Sequence, residues 1–208
     1  YDIGVSHSSF YQIFDAAGHG VERPKTRLEA LQETDGLGEY EHHMLKEIHE
    51  QPARLRDTAG GDDFSTDVFG KHASEIFPRV QAVQILACGT SYHAGLVARH
   101  WIEQHAGLPC HVEVASEYRY RHSVTLPGTL VVTISQSGET ADTLAALKNT
   151  RTGHQAEHVL ARLAICNVDH SAIVRGSDLV FLTHAGAEIG VASTKAFTTQ
   201  LSALLVLT

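Results

Sequence analysis

The sequence LVVTISQSGET occupies residues 130–140 and joins an apolar run to a hydroxyl-rich turn. The apolar part predicts a buried strand, and the polar part predicts a turn that leads into a helix. A helix start has backbone N–H groups without partners and carries the positive end of the helix dipole, so it is a natural phosphate site. Ordinary capping of the helix is the simpler alternative. The neutral donors at this turn are Ser135, Gln136, Ser137 and Thr140.

Four further apolar runs of strand length follow the same scheme, with helical patterns between them. They span residues 83–88, 111–114, 163–166 and 179–182. This alternation predicts a mainly parallel five-stranded sheet with helices on both faces, in a flavodoxin-like αβα sandwich of the α/β class. Ligands of such sheets bind beyond the carboxyl ends of the strands. Three polar segments are predicted at that edge, at residues 89–91, 135–140 and 190–194.

The first 80 residues follow a different pattern. Residues 11–15 and 21–23 flank a glycine-containing turn and predict a hairpin. Residues 25–38 are polar and predict a linker, and residues 57–66 predict a loop. An amphipathic helix that closes or kinks at Pro52 is predicted between these two segments. Its apolar stripe consists of Tyr40, Met44, Leu45 and Ile48.

Composition excludes several classes of function. The net charge of −8 over 208 residues argues against general nucleic-acid binding, which usually rests on a basic patch. No run of about 18 apolar residues occurs, so we expect no membrane span. Cys88, Cys110 and Cys166 lie in apolar runs and are interpreted as buried free thiols, which makes the cytoplasm the default location.

Several residues allow a second interpretation. Thr90 and Ser91 fit the N-cap of the following helix as well as a binding site. Lys195 is interpreted as a solvated lysine of a first helical turn, or as a charge that assists the ligand phosphate, rather than as a Schiff-base lysine. His154 and His158 match the H-x-x-E-H pattern of a zinc protease family, but a helix-breaking segment precedes them, so we expect no metal site.

Three motifs together resemble those of the glutamine–fructose-6-phosphate aminotransferase (isomerizing) family, also called the glucosamine-6-phosphate synthases. The motifs lie at residues 88–91, 135–140 and 188–195, in the same order as in that family. Residues 46–52 resemble the segment before its sugar isomerase (SIS) domain, and the hairpin around Phe14 and Asp15 resembles the tail of its glutaminase domain. The likeness extends over essentially the whole chain.

The resemblance implies a division into three parts. Residues 1–24 would be the tail of a glutaminase (type 2 amidotransferase) domain, residues 25–73 a linker with a helix, and residues 74–208 the first SIS domain. The chain begins at Tyr1 rather than at a methionine, and a helical apolar stripe runs up to Thr208 without a cap. We therefore expect truncation at both ends.

The resemblance also implies roles for single residues. Those that would bind the phosphate are Ser135, Gln136, Ser137 and Thr140, and those that would contact the sugar are Thr90, Ser91, Val191 (through its backbone) and Ser193. The ligand would be fructose 6-phosphate or glucosamine 6-phosphate. The family's catalytic cysteine, glutamate, histidine and Schiff-base lysine would belong to the missing glutaminase and second SIS domains. No catalytic residue, metal or cofactor is therefore assigned here, and a homodimer is expected.

Two other functions remain open from the residues. A non-catalytic SIS module that senses sugar phosphates would require a helix-turn-helix upstream, where a hairpin is predicted instead. A stand-alone sugar-phosphate isomerase would require its acid and base within this one domain.

Overall fold

A computed structural model describes residues 3–6, 10–23, 36–60, 65–153 and 156–208. The chain divides into two compact units, Tyr1–Thr34 and Asp35–Thr208. Residues 25–35 of the predicted linker and His154 of the H-x-x-E-H pattern lie outside the described residues.

The first unit contains two short antiparallel strands, β1 (Ile3–Ser6) and β2 (Tyr11–Phe14). After β2 the Asp15 carboxylate accepts hydrogen bonds from the N–H groups of Ala17 and His19, both at 2.9 Å, and so closes a tight turn. The turn of the predicted hairpin is therefore present. Its second arm, however, is a single bridge to Gly20 rather than a strand, and β1 was not predicted.

The second unit alternates helices and strands. Its helices are α1 (His43–Ala59), α2 (Ala73–Ile76), α3 (Gly89–Trp101), α4 (Ala115–Tyr118), α5 (Ala141–Thr152), α6 (Ala172–Arg175) and α7 (Lys195–Val206). Its strands are β3 (Ala82–Ala87), β4 (Cys110–Val114), β5 (Thr129–Ser135), β6 (Val159–Cys166) and β7 (Leu179–Leu182). Short 3-10 helices span Thr66–Phe69, Phe77–Arg79 and Ala156–His158, and a π-helical turn, Ile102–Ala106, extends α3.

The five strands form one parallel sheet in the order β4-β3-β5-β6-β7. Counted along the chain this is the order 2-1-3-4-5, which is that of flavodoxin-like folds. The predicted fold class is therefore confirmed. All five predicted strands are present, β6 starts four residues earlier than predicted, and the short helix α6 was not predicted.

Alternate residues of the sheet face two different helical layers, as the pleat requires. On one face Ile85 and Val132 pack with Ala98 of α3 and Leu204 of α7 in the main core. On the other face, Leu86 and Val131 pack with Tyr118 of α4 and Ala146 of α5. The central strands β3 and β5 are buried along their whole length, which fits their mostly apolar sequences.

Helix α1 runs through Pro52, so the predicted closure there is wrong. Proline has no N–H and cannot bond the Ile48 carbonyl, but the side-chain amide of Gln51 donates to that oxygen at 3.1 Å. The helix ends instead at Gly60, whose φ of 73° is left-handed and whose N–H bonds the Arg56 carbonyl. Residues 57–59 are therefore helical, and the predicted loop began too early.

The apolar stripe predicted for α1 is buried only in part, since Leu45 is half-buried and Tyr40, also half-buried, precedes the helix. Met44 and Ile48 are exposed by 40% and 41%, whereas the buried residues of this helix are Glu47 and Thr58. Helix α1 packs against α7. Its buried face therefore uses polar side chains. No helix among the described residues is long and apolar enough to cross a membrane.

We predict that the three thiols, all free, differ in reactivity. Burial, reinforced by the charge of Glu103 and opposed by Arg99, raises the pKa of Cys110 to about 12. Cys166 is also buried, whereas Cys88 is partly exposed. Brief treatment of the native protein with iodoacetamide at pH 8 should therefore alkylate Cys88 first, because only an accessible thiolate reacts. Peptide mass spectrometry measures the order, and unfolding in urea should make all three react alike. Early labelling of Cys110 would contradict the prediction.

Candidate functional site

The candidate site lies where the order of strands reverses in the sheet. Strand β3 is followed by β4 on one side, and the chain then returns to place β5 on the other side. Ligands of open α/β sheets bind at such a switch point, beyond the carboxyl ends of the strands. Next to two of the predicted segments the chain comes close together: the Thr143 hydroxyl of α5, three residues after the 135–140 turn, lies 4.0 Å from the sulfur of Cys88, which directly precedes residues 89–91.

The 135–140 turn is built by its own hydroxyl groups. Ser135 is the last residue of β5, and its Oγ accepts the N–H of Gly138 at 3.0 Å and lies 3.2 Å from Thr140 Oγ1. Ser137 Oγ accepts the N–H of Glu139 at 3.2 Å. The two N–H groups bond to oxygen lone pairs, so the Ser137 hydroxyl keeps its hydrogen to donate. The bond between Ser135 and Thr140 uses the hydrogen of one of these two hydroxyls and leaves the other hydrogen to donate.

The 135–140 turn is also fixed from outside by α6. The Ile173 N–H donates to the Gly138 carbonyl at 3.1 Å, and the Ala172 N–H donates to the Glu139 carboxylate at 2.7 Å. Gly138 has a φ of 67°, and a Cβ at this position would lie 2.0 Å from Ser171 Oγ. Only glycine fits both the backbone conformation and this close approach.

Helix α5 begins at the end of this turn without a side-chain cap. Thr140 is the N-cap residue, but its side chain bonds no N–H of the first turn. Ordinary capping, the simpler alternative for this segment, is therefore not what Thr140 provides. The first-turn N–H groups of a helix have no partners within it, so this end of α5 can bind an anion. Ser137 is exposed and Gln136 half-buried, so both are accessible to a ligand.

Thr90 and Ser91 occupy the first turn of α3 rather than a loop before it. The N-cap is Cys88, so the alternative that placed Thr90 and Ser91 at the cap is wrong. The chain leaves β3 through Gly89, whose φ of 57° starts the turn. Thr90 is exposed, and Ser91 is 9% exposed.

The 188–194 loop leads from the region after β7 to α7. Oε1 of Glu188 accepts the N–H groups of Thr194 and Ala196 at 2.8 and 3.1 Å, so a carboxylate caps α7. The Ser193 hydroxyl donates to Glu188 Oε2 at 3.3 Å, which leaves its lone pairs able to accept. The Val191 side chain is fully exposed. Among the described residues, Ser193 bonds Glu188 and not the 135–140 turn.

Two carboxylates of α1 hold this loop. Oε1 of Glu47 accepts the N–H groups of Ile189 and Gly190 at 2.6 and 2.9 Å. Glu50 accepts a hydrogen bond from the Lys195 ammonium at 2.5 Å. Lys195 is 2% exposed, so its interpretation as a solvated lysine is wrong: the partner carboxylate makes burial of the charge possible.

The charge state of Glu50 follows from the same contact. Burial alone would raise the pKa of Glu50, but the hydrogen bond and charge of Lys195, with the charges of Lys46 and Arg54, outweigh it and lower the pKa below its ordinary value. Glu50 therefore stays ionised at neutral pH and keeps Lys195 paired.

Sequence reasoning missed three residues of this site. Glu47 and Glu50 lie in the segment 46–52. The sequence of this segment resembles the family but predicts no contact for either carboxylate. Asn167 follows β6 and accepts the Ala185 N–H at 2.7 Å while donating to the Gly186 carbonyl at 2.8 Å. It thereby fixes the chain after β7. A single asparagine after a strand gives no sequence signal of such a contact.

Comparison with known proteins identifies the family to which this domain belongs. Residues 78–208 match the SIS domain family. The chain belongs to the SIS domain family. The C-terminal domain of glucosamine-fructose-6-phosphate aminotransferase from Francisella tularensis superposes on this SIS domain chain with a TM-score of 0.78 and 50% identity. That match covers 83% of this chain and 48% of the other. Tagatose-6-phosphate ketose/aldose isomerase from Escherichia coli, at 18% identity and a TM-score of 0.67, shares the SIS fold over 79% of this chain and 47% of its own.

Curated relatives of this SIS domain chain match over its whole length. Two proteins named glutamine–fructose-6-phosphate aminotransferase [isomerizing], from Idiomarina loihiensis and Pseudomonas syringae pv. tomato, are 51% and 55% identical to it. The resemblance inferred from the motifs is therefore confirmed. The chain covers 34% of each of these relatives, so it spans about a third of their length.

We predict that alanine at Gly138 is far more damaging than alanine at Gly89. Both glycines have a left-handed φ, but a Cβ at Gly89 meets nothing within 4 Å, whereas one at Gly138 meets Ser171. Gly89→Ala should lower the free energy of unfolding by about 1 kcal/mol, and Gly138→Ala by about 3 kcal/mol or more, since overpacking is added to the backbone cost. Urea denaturation measures both, and equal losses would show that the close approach to Ser171 does not matter.

We also predict a defined pH dependence for the Lys195–Glu50 pair. A carboxyl group whose pKa is lowered by folding stabilises the protein above its unfolded pKa, near 4.5, and loses this effect as the pH falls through the folded pKa. The difference in free energy of unfolding between wild type and Glu50→Gln should be constant from pH 6 to 8 and shrink below about pH 4.5. The exposed Glu39→Gln serves as control and should show no such change. A difference that grows in acid would contradict the assignment.

Proposed function

We propose that this chain binds a sugar phosphate as part of a glutamine–fructose-6-phosphate aminotransferase (isomerizing). The observation that carries the proposal is the 135–140 turn, an uncapped helix start rich in hydroxyl donors at the switch point of a SIS domain sheet. Relatives that bear this enzyme name align with the whole chain and support the same assignment.

The phosphate would sit on the first turn of α5. Ser135, Gln136, Ser137 and Thr140 would donate to its oxygens together with the backbone N–H groups, and such hydrogen bonds to an anion are stronger than neutral ones. Thr90 and Ser91 on α3 would contact the sugar. The Val191 backbone and Ser193, in the loop before α7, would also contact the sugar. The ligand would be fructose 6-phosphate or the product glucosamine 6-phosphate.

In this assignment the chain orients the substrate and does not itself transfer protons. The phosphate is remote from the carbons that react, so its binding energy serves to position them. Isomerisation of the open-chain sugar requires an acid and a base, which we assign to the rest of the enzyme. No catalytic residue is therefore proposed among residues 1–208.

We assign residues 1–24 to the end of a glutaminase domain, residues 25–73 to a linker with α1, and residues 74–208 to the first SIS domain. The partners would be the glutaminase and second SIS domains of the same chain. We further propose a homodimer in the cytoplasm.

Two alternative functions have less support. A sugar-phosphate sensor that also binds DNA would place a helix-turn-helix upstream, whereas the described residues before position 24 form strands and turns. A stand-alone isomerase would be of the chain's own size, whereas the relatives are about three times longer.

The proposal predicts the effect of Thr140→Ala on ligand binding in the full-length protein. Loss of one hydroxyl that donates to phosphate should weaken fructose 6-phosphate by at least about tenfold, because a hydrogen bond to a charged group contributes about 1.5–3 kcal/mol. Ser137→Ala should act in the same direction, and Thr140→Ser should retain most of the affinity. Isothermal titration calorimetry gives the dissociation constants.

Thr152→Ala is the matched control, since Thr152 lies at the opposite end of α5 and its hydroxyl bonds the Lys148 carbonyl. Its affinity for fructose 6-phosphate should equal that of the wild type. Unchanged affinity in both Ser137→Ala and Thr140→Ala would overturn the proposed function.

A further inference from the structure

We propose that Glu47 of α1 is a positioning residue for the sugar, which acts by fixing the backbone of the 188–194 loop. This inference rests on the proposed function, because it assumes that Val191 and Ser193 of this loop contact the sugar. Glu47 itself touches neither the sugar nor the phosphate in this proposal.

The contact between Glu47 and the loop is short and buried. The Glu47 side chain belongs to a residue that is 3% exposed, and one of its oxygens accepts two consecutive N–H groups, those of Ile189 and Gly190. Hydrogen bonds of backbone N–H groups to a carboxylate are about twice as strong as neutral ones. Two such bonds on adjacent residues fix the orientation of the peptide plane between them.

No apolar packing replaces this contact. Val191 is fully exposed and Ile189 is 49% exposed, so neither side chain anchors the loop in the core. The loop also lies close to α1 at position 190, since a Cβ there would lie 2.5 Å from Glu47 Oε2 and would displace the carboxylate. The position of the Val191 backbone therefore depends on polar contacts made by its neighbours.

Helix α1 makes two further contacts with this part of the chain, one before the 188–194 loop and one after it. The Thr58 hydroxyl donates to the carbonyl of Thr183 before the loop, and Glu50 binds Lys195 after it. Glu47 is the contact nearest to Val191. Removing it should leave the two outer contacts in place while freeing the backbone between them.

The test compares two ligands in the full-length enzyme. Fructose 6-phosphate uses the loop and the 135–140 turn, whereas inorganic phosphate uses only the turn. Glu47→Ala should weaken fructose 6-phosphate by about tenfold, since misplaced contact groups lose that much or more, while the affinity for inorganic phosphate stays within twofold. Glu47→Gln should recover part of the loss, because its carbonyl oxygen can accept both N–H groups.

Gly190→Ala provides a second variant that leaves α1 unchanged. The φ of Gly190 is not left-handed, so the added methyl group acts through its clash with the Glu47 carboxylate and not through backbone strain. We expect Gly190→Ala to weaken fructose 6-phosphate and to leave the affinity for inorganic phosphate unchanged. The control is Asp57→Asn on the same helix, where the side chain is 50% exposed and pairs with Arg54. This variant should bind both ligands as the wild type does.

Amide hydrogen exchange adds a readout at the loop itself. Exchange at Ile189 and Gly190 should become at least about tenfold faster in Glu47→Ala, because these N–H groups lose their acceptor, and exchange in β5 should not change.

Three outcomes would overturn the positioning role: equal fructose 6-phosphate affinity in all variants, a parallel loss of inorganic phosphate, or unchanged exchange at Ile189 and Gly190. If Glu47→Ala does not fold, Glu47→Gln and Gly190→Ala decide by the same criteria. A wild-type enzyme that binds no fructose 6-phosphate would instead refute the proposed function, so the two failures are distinguishable.

Discussion

The site depends on one constraint of helical backbones: the first turn has N–H groups that no residue of the helix can bond. In a parallel sheet every strand that leads into a helix presents such a turn at the same edge. This chain treats the unpaired N–H groups differently at the starts of two helices. A carboxylate, Glu188, satisfies the start of α7, whereas the start of α5 has no side-chain cap. The uncapped start of α5 can bind an anion from outside, whereas the start of α7 is already satisfied by a carboxylate of the chain.

Much of this arrangement could be predicted from local sequence. Strands β3 and β5 are mostly apolar on both faces because both faces are covered, and such runs are easy to recognise although β3 includes Gln84 and β5 includes Thr133. The 135–140 turn followed from a strand, a run of hydroxyl groups and a helical pattern. Strand β1 and helix α6 were missed because each has four residues, which is too short for either periodicity to develop.

Helix α1 shows where sequence reasoning failed for a physical reason. Its apolar residues Met44 and Ile48 predict the buried face, but both are exposed. The helix instead makes polar contacts, in which Glu50 binds Lys195 of α7, Glu47 binds the 188–194 loop and Thr58 binds the Thr183 carbonyl. Hydrophobic periodicity carries no information about buried carboxylates, since their burial depends on partners distant in sequence. Lys195, for which a position in the first helical turn predicts solvation, is such a partner, 145 positions after Glu50.

The contacts of α1 also indicate which residues before the SIS match the domain needs for an intact site. The family match begins at residue 78, whereas Glu47, Glu50 and Thr58 all precede it. A fragment cut at residue 78 keeps all five strands of the sheet but removes both the carboxylate that pairs with Lys195 and the helix that packs over the start of α7. Water would enter at the start of α7 to solvate the Lys195 ammonium. Domain grafts between relatives should therefore carry α1 together with the sheet, so that the carboxylates and the loop they hold come from the same parent.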